Sequence, residues 1–120
     1  MNQNTIALLR TPPYGSTIAR EGLEAVLASA AMEQEIDLLF LGDGIFQLLD
    51  HQSPMEIGQK SLRRNLLALP VFGIEQIFVC HKSLRDRTIA PDQVQIPGVE
   101  VKAIHQPGAL IAAYQCVLSF

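Results

Sequence analysis

The side chain in this sequence best suited to chemistry is the thiol of Cys80, which closes a short apolar run and is followed by His81, Lys82 and Arg85. A thiolate is the reactive form of cysteine, and nearby cations and helix-terminal amides favour it. Cys80 therefore has the surroundings expected of a persulfide-carrying cysteine. The same position also suits a core cysteine, because free Cys packs as a small hydrophobe and only exposure separates the two readings. The other cysteine, Cys116, lies inside an apolar run and reads as core. His51, His81 and His105 share no spacing with the cysteines that would hold a metal. No Ser-His-Asp arrangement can be argued, and Ser16 and Ser83 read as helix caps.

Open α/β sheets meet ligands and partners through the loops after the carboxyl ends of their strands. Four segments qualify, at 11–16, 42–44, 80–85 and 104–106. The first holds Pro12 and Pro13, lacks both glycine-rich phosphate signatures, and has lost the amides a phosphate would need. A flavin or nucleotide cradle is not expected, and neither a cofactor nor a metal is called for. Asp43 reads as a turn residue and helix cap. A phospho-acceptor domain would carry an acidic pair after its first strand, where Arg10 and Thr11 stand instead.

The elements that must position these loops follow from hydrophobic periodicity. Apolar runs at 5–9, 36–41 and 75–80 read as buried strands, with a further extended piece at 94–104 broken by Pro97 and Gly98, and a last strand at 114–120 apolar enough to be central. A helix over 17–33 carries Ile18, Gly22, Val26 and Ala30 on one stripe flanked by Leu23 and Leu27, with Arg20, Glu21 and Glu24 opposite. Gly22 costs roughly 1 kcal/mol of helix propensity, which a close approach to the sheet would explain. Shorter helical pieces are expected at 45–49, 83–87 and 107–113, a loop at 51–57, and a long helix at 59–69 ended by Pro70. This alternation predicts one α/β domain over 1–120, a three-layer α/β/α sandwich on a mostly parallel five-stranded sheet.

Composition narrows the function further. A 120-residue chain with 48% hydrophobic residues buries a core unaided, and the apolar surplus points to an association surface. The net charge is −3, and no basic stripe is seen apart from a short cluster around Arg63, Arg64, Lys82, Arg85 and Arg87, so direct nucleic-acid binding is disfavoured. No signal-peptide pattern, membrane-length apolar run or paired-cysteine motif is seen, so a cytoplasmic protein with reduced thiols is expected.

Read together, R-T-P-P-Y-G-S at 10–16, R-E-G-L-E-A-V-L at 20–27, F-L-G-D-G-I-F-Q-L-L at 40–49 and I-E-Q-I-F-V-C-H-K-S-L-R-D-R at 74–87 resemble the TusC/DsrF branch of the DsrE/DsrF/DsrH sulfur-relay family. The resemblance covers nearly the whole chain. It implies a heterohexamer of two copies each of three related subunits, the partners being TusB/DsrH-like and TusD/DsrE-like. It further implies that the complex takes persulfide sulfur from one carrier protein and passes it to another, toward thiolation of the tRNA wobble uridine. A DsrF-like role in dissimilatory sulfur oxidation is the neighbouring alternative. In that family the principal sulfur-accepting cysteine belongs to the TusD/DsrE-type subunit, after the strand that corresponds to the one ending at Cys80. The expectation is therefore an assembly subunit in which Cys80 is at most an auxiliary thiol, and the alternative is a sulfurtransferase using Cys80 as persulfide carrier. The run from Leu66 to Phe72 reads equally as an interface or as a core helix end.

Overall fold

A computed structural model of the chain describes residues 5–49 and 57–120. The strands are β1 (Thr5–Leu9), β2 (Asp37–Phe40), β3 (Gln76–Cys80), β4 (Glu100–Ile104) and β5 (Cys116–Ser119). The helices are α1 (Ile18–Ala31), α2 (Ile57–Ala68), α3 (His81–Asp86) and α4 (Pro107–Ala112). Tight 3-10 turns occupy Gly42–Leu48, Leu69–Phe72 and Pro91–Gln93. All strand pairs are parallel, in the order β4-β3-β2-β1-β5, so this is the expected α/β fold with a five-stranded parallel sheet flanked by helices. No helix among the described residues is long and apolar enough to cross a membrane.

Strand side chains alternate between faces, and the register sorts them. Ala7 pairs with Leu38 and Leu9 with Phe40, while Phe40 pairs with Val79. These residues share one face and pack with Leu23 and Val26 of α1 and Leu62 and Leu66 of α2 in a single buried cluster. The opposite face holds Ile6 and Leu39, both fully buried, and Cys80. The connection from β4 to β5 must carry the chain from one sheet edge to the other. Its path is marked by Tyr114, whose phenol donates to Asp37, the residue out of phase with Leu38. That layer is thin, because α4 buries none of its residues.

Several expectations need correction. The last strand lies at an edge beside β1 rather than in the centre, and all four of its residues are exposed. Cys116 is consequently exposed, not core. In α1 the buried stripe runs through Ala19, Gly22, Leu23 and Val26, while Ile18 is 43% exposed. Of the 94–104 piece, only Glu100–Ile104 is strand; Ile96 and Val99 bridge around Pro97 and Gly98, with Gly98 at φ +80°. The 59–69 helix begins and ends slightly earlier, and Pro70 sits in the 3-10 turn that follows it. The 51–57 loop, with His51, lies outside the described residues apart from Ile57, which opens α2.

Two glycines are required by close approach. A Cβ on Gly22 would sit 2.8 Å from the Phe120 side chain, so the contact explaining this glycine is an aromatic beside β5. A Cβ on Gly44 would lie 1.8 Å from the Leu9 carbonyl oxygen, a backbone atom. That second contact holds the turn after β2 on the end of β1, where Leu41 N–H also donates to the Leu9 carbonyl at 3.2 Å.

Two outcomes follow for stability. Gly44→Ala should cost about 3 kcal/mol or more in urea unfolding, since backbone must move; a loss below about 1 kcal/mol would show that the turn tolerates displacement. The Tyr114 phenol is pushed above its ordinary value, first by burial and then by its bond to Asp37. A raised folded-state pKa gives stability that is complete below the unfolded phenol value, near 10, and is lost as pH rises past it. Unfolding midpoints should fall above about pH 10, less steeply in Tyr114→Phe.

Candidate functional site

The loops at the carboxyl ends of the strands gather along one rim of the sheet, and their contacts define the candidate site. Cys80 is the last residue of β3 and pairs in register with Ile104 of β4. The residues that follow them, His81 and His105, therefore meet, with ring centroids 4.2 Å apart and planes inclined by 31°. Cys80 itself is only 5% exposed, on the sheet face it shares with Ile104.

Two of the cations around Cys80, Lys82 and Arg87, are engaged with other groups. Lys82 bonds Asp86 at 2.6 Å one helical turn away, and this bond is the first cause holding the Asp86 carboxyl below its ordinary value. Arg87 reaches across to the turn after β2: its Nη2 and Nε donate to Asp43 Oδ1 at 2.9 and 3.2 Å. Its Nη1 donates to the Ser83 carbonyl at 3.2 Å, and its guanidinium carbon lies 5.9 Å from the Phe46 ring centroid. Ser83 completes the clasp, its hydroxyl accepting the Gly42 N–H at 2.9 Å. Ser83 and Asp43 were expected to cap their own helices; instead they join two different turns. Ser16 does accept the Ile18 N–H, at 3.3 Å.

Gln47 ties the first loop to the second. It is fully buried, and its amide donates to the Thr11 carbonyl at 2.9 Å. A glutamine inside Phe46-Gln47-Leu48-Leu49 was a visible signal, since a buried polar side chain must find a partner. Nothing local marks Arg87, whose partner Asp43 is 44 residues away. The rim is thus a set of turns bolted to one another, with a buried thiol at the end of β3 and an imidazole pair at one end. Among the described residues no group of three His, Cys, Asp or Glu side chains is placed to hold a metal ion. A hollow of about 500 Å³ lies at the opposite rim, lined by Glu33, Glu35, Asp37, Phe72 and Glu75, away from Cys80.

In a native-state thiol assay Cys116 should react first and Cys80 at least about tenfold more slowly, because reaction needs access. Arg87→Ala should cost about 1–2 kcal/mol through the lost fork on Asp43 and Ser83, and it should speed Cys80 labelling. Equal labelling rates for the two thiols in the wild-type chain would contradict this burial.

Comparison with known proteins places this geometry. The DsrE/DsrF-like family matches residues 3–120. The chain is 40% identical over 101 residues to a protein of Pseudomonas aeruginosa named as a TusC homologue, covering 84% of each. It is 42% identical over 83 residues to a TusC homologue of Vibrio parahaemolyticus, covering 69% of this chain and 70% of the relative. Over 75 residues it is 44% identical to protein TusC of Buchnera aphidicola, covering 62% and 63%. The crystal structure of the YchN protein from E. coli superposes with a TM-score of 0.79 at 21% identity, over 99% of this chain and 100% of that one, which shows the shared fold.

Proposed function

This chain belongs to the DsrE/DsrF-like family, and we propose that it is a sulfur-relay subunit whose task is assembly rather than catalysis. The observation that carries the division of labour is the 5% exposure of Cys80. A persulfide relay passes sulfur when a thiolate attacks the outer sulfur of the donor persulfide, forming a new persulfide and releasing the donor thiolate. The attacking thiolate needs an open line of approach. At 5% exposure Cys80 offers little of one, and α3, which follows it, is tied to the turn after β2 through Arg87 and Ser83. In this reading the reactive cysteine belongs to a partner, and this chain shapes the surface beside it.

The relatives' names support the finer version. The chain would join TusB/DsrH-like and TusD/DsrE-like subunits in a cytoplasmic heterohexamer, passing persulfide sulfur between carrier proteins toward tRNA wobble-uridine thiolation. Its surface supports a subunit role too. In the run from Leu66 to Phe72, Leu66 and Leu69 are fully buried. Leu67, Val71 and Phe72 are 44, 83 and 40% exposed. The run is therefore both a core helix end and an apolar outer surface. A DsrF-like place in dissimilatory sulfur oxidation would use the same subunit architecture. A sulfurtransferase role for Cys80 would instead require the thiol to become exposed, and the imidazole pair beside it is what favours that second reading.

Native mass spectrometry of the tagged protein from its own cells tests the proposal. The expected species holds about six chains and two related small proteins, the size a closed assembly of paired trimers would have. Recovery without related partners would sink it. Phe72→Glu should leave the fold intact and reduce the co-purified partners about tenfold, as a charge placed at a buried contact does.

A further inference from the structure

The two edges of the sheet are built differently. β4 carries Glu100 and Lys102 and is preceded by the Pro97-Gly98 turn, the charges and breakers that keep an edge strand from pairing. β5 reads Cys116-Val117-Leu118-Ser119, with no charge and no proline, and Val117 and Leu118 are 44 and 36% exposed. Its free side has a defined hydrogen-bonding pattern. Phe120 donates its N–H to the Leu8 carbonyl at 2.9 Å and accepts the Arg10 N–H on its own carbonyl at 2.8 Å, so both its backbone groups face β1. Alternation turns those of Leu118 toward β1 as well, in keeping with its pairing to Ala7. The N–H and C=O of Val117 and Ser119 therefore point outward, away from every other strand among the described residues.

From this edge we infer that β5 pairs antiparallel with β5 of a second copy of this chain, about a two-fold axis at Leu118. The arrangement satisfies each outward group. Val117 exchanges both of its bonds with Ser119 of the second copy, and the symmetry repeats the exchange. Leu118 then stands directly opposite Leu118 of the second copy as a non-hydrogen-bonded pair, the closer kind of antiparallel neighbour. Like residues meet without a charge between them, which the β4 edge, with Glu100 and Lys102, does not offer. The two sheets join into one that continues through both copies. The pairing needs no sister subunit and does not rest on the sulfur-relay reading.

The test uses the purified full-length chain with Cys116→Ser, into which Leu118→Cys or Val117→Cys is introduced. Under mild oxidation Leu118→Cys should link to a disulfide dimer, because the paired Cα atoms lie within disulfide reach. Val117→Cys faces Ser119 of the second copy and should link at least about tenfold less, as its Cα atoms sit too far from one another. The unoxidised wild-type chain should have twice its 13.2 kDa mass. Ser119→Pro removes an outward N–H while sparing the ladder to β1, and should return the chain to a monomer with unchanged circular dichroism. A monomeric wild type, equal linking at the two positions, or a dimer untouched by Ser119→Pro would overturn the inference. If the sister subunits co-assemble but Leu118→Cys stays unlinked in that assembly, a foreign surface covers β5. The self-pairing then fails while the subunit reading stands. A linked dimer from cells that yield no related partners has the reverse meaning.

Discussion

Gly44 lies against the Leu9 carbonyl so closely that no side chain could stand between them. That contact sets the height of the turn after β2 above the end of β1. Once the turn is fixed there, Gln47 falls within reach of the Thr11 carbonyl, Gly42 presents its N–H to Ser83, and Asp43 faces Arg87. Each of these bonds joins segments far apart in sequence, and none would form if the turn stood off by the width of a methyl group. The rigidity of the rim therefore starts from a missing Cβ rather than from any strong pairwise attraction. The Arg87–Asp43 pair is partly exposed and adds modestly; its value lies in direction, since a guanidinium fork fixes orientation as well as distance.

The same clasp borders Cys80, and on the proposed reading it belongs to a chain that does not use this thiol. Strand ends in parallel sheets are natural places for reactive groups, because the following turn is free to vary. Here the following turn is α3, and α3 is tied to the neighbouring turn through Ser83 and Arg87. Cys80, just before this tied turn, is 5% exposed. A chain that depended on this cysteine for catalysis would have to expose it at every turnover. A chain that serves as a wall of a larger assembly has no such need.

Much of this was legible from residues alone. The apolar runs at 5–9, 36–41 and 75–80 became β1, β2 and β3 because buried parallel strands are continuous in hydrophobicity, a local property. Gly22 announced a close approach, and the structure supplied Phe120 as the object approached. Ile18 misled because helical stripes at i and i+4 drift around the axis, so Ala19 took the buried place one position on. The Arg87 clasp left no local trace, since nothing in the sequence pairs two side chains across 44 positions. Strand order was equally out of reach, for it depends on the crossover from β4 passing over three neighbours to reach the far edge.

The misplacement of β5 has a physical reading of its own. A strand's apolar content reflects all the burial it undergoes, whether by its own chain or by another. β5 has the composition of a central strand and the exposure of an edge, while β4 has the composition of an edge and occupies one. A chain that functioned alone would be under pressure to place charge at both ends of its sheet. Charge at one end only is what a sheet that stops at β4 and continues beyond β5 would need. On the proposed pairing, Val117 and Leu118 are central residues after all, in a sheet larger than one chain.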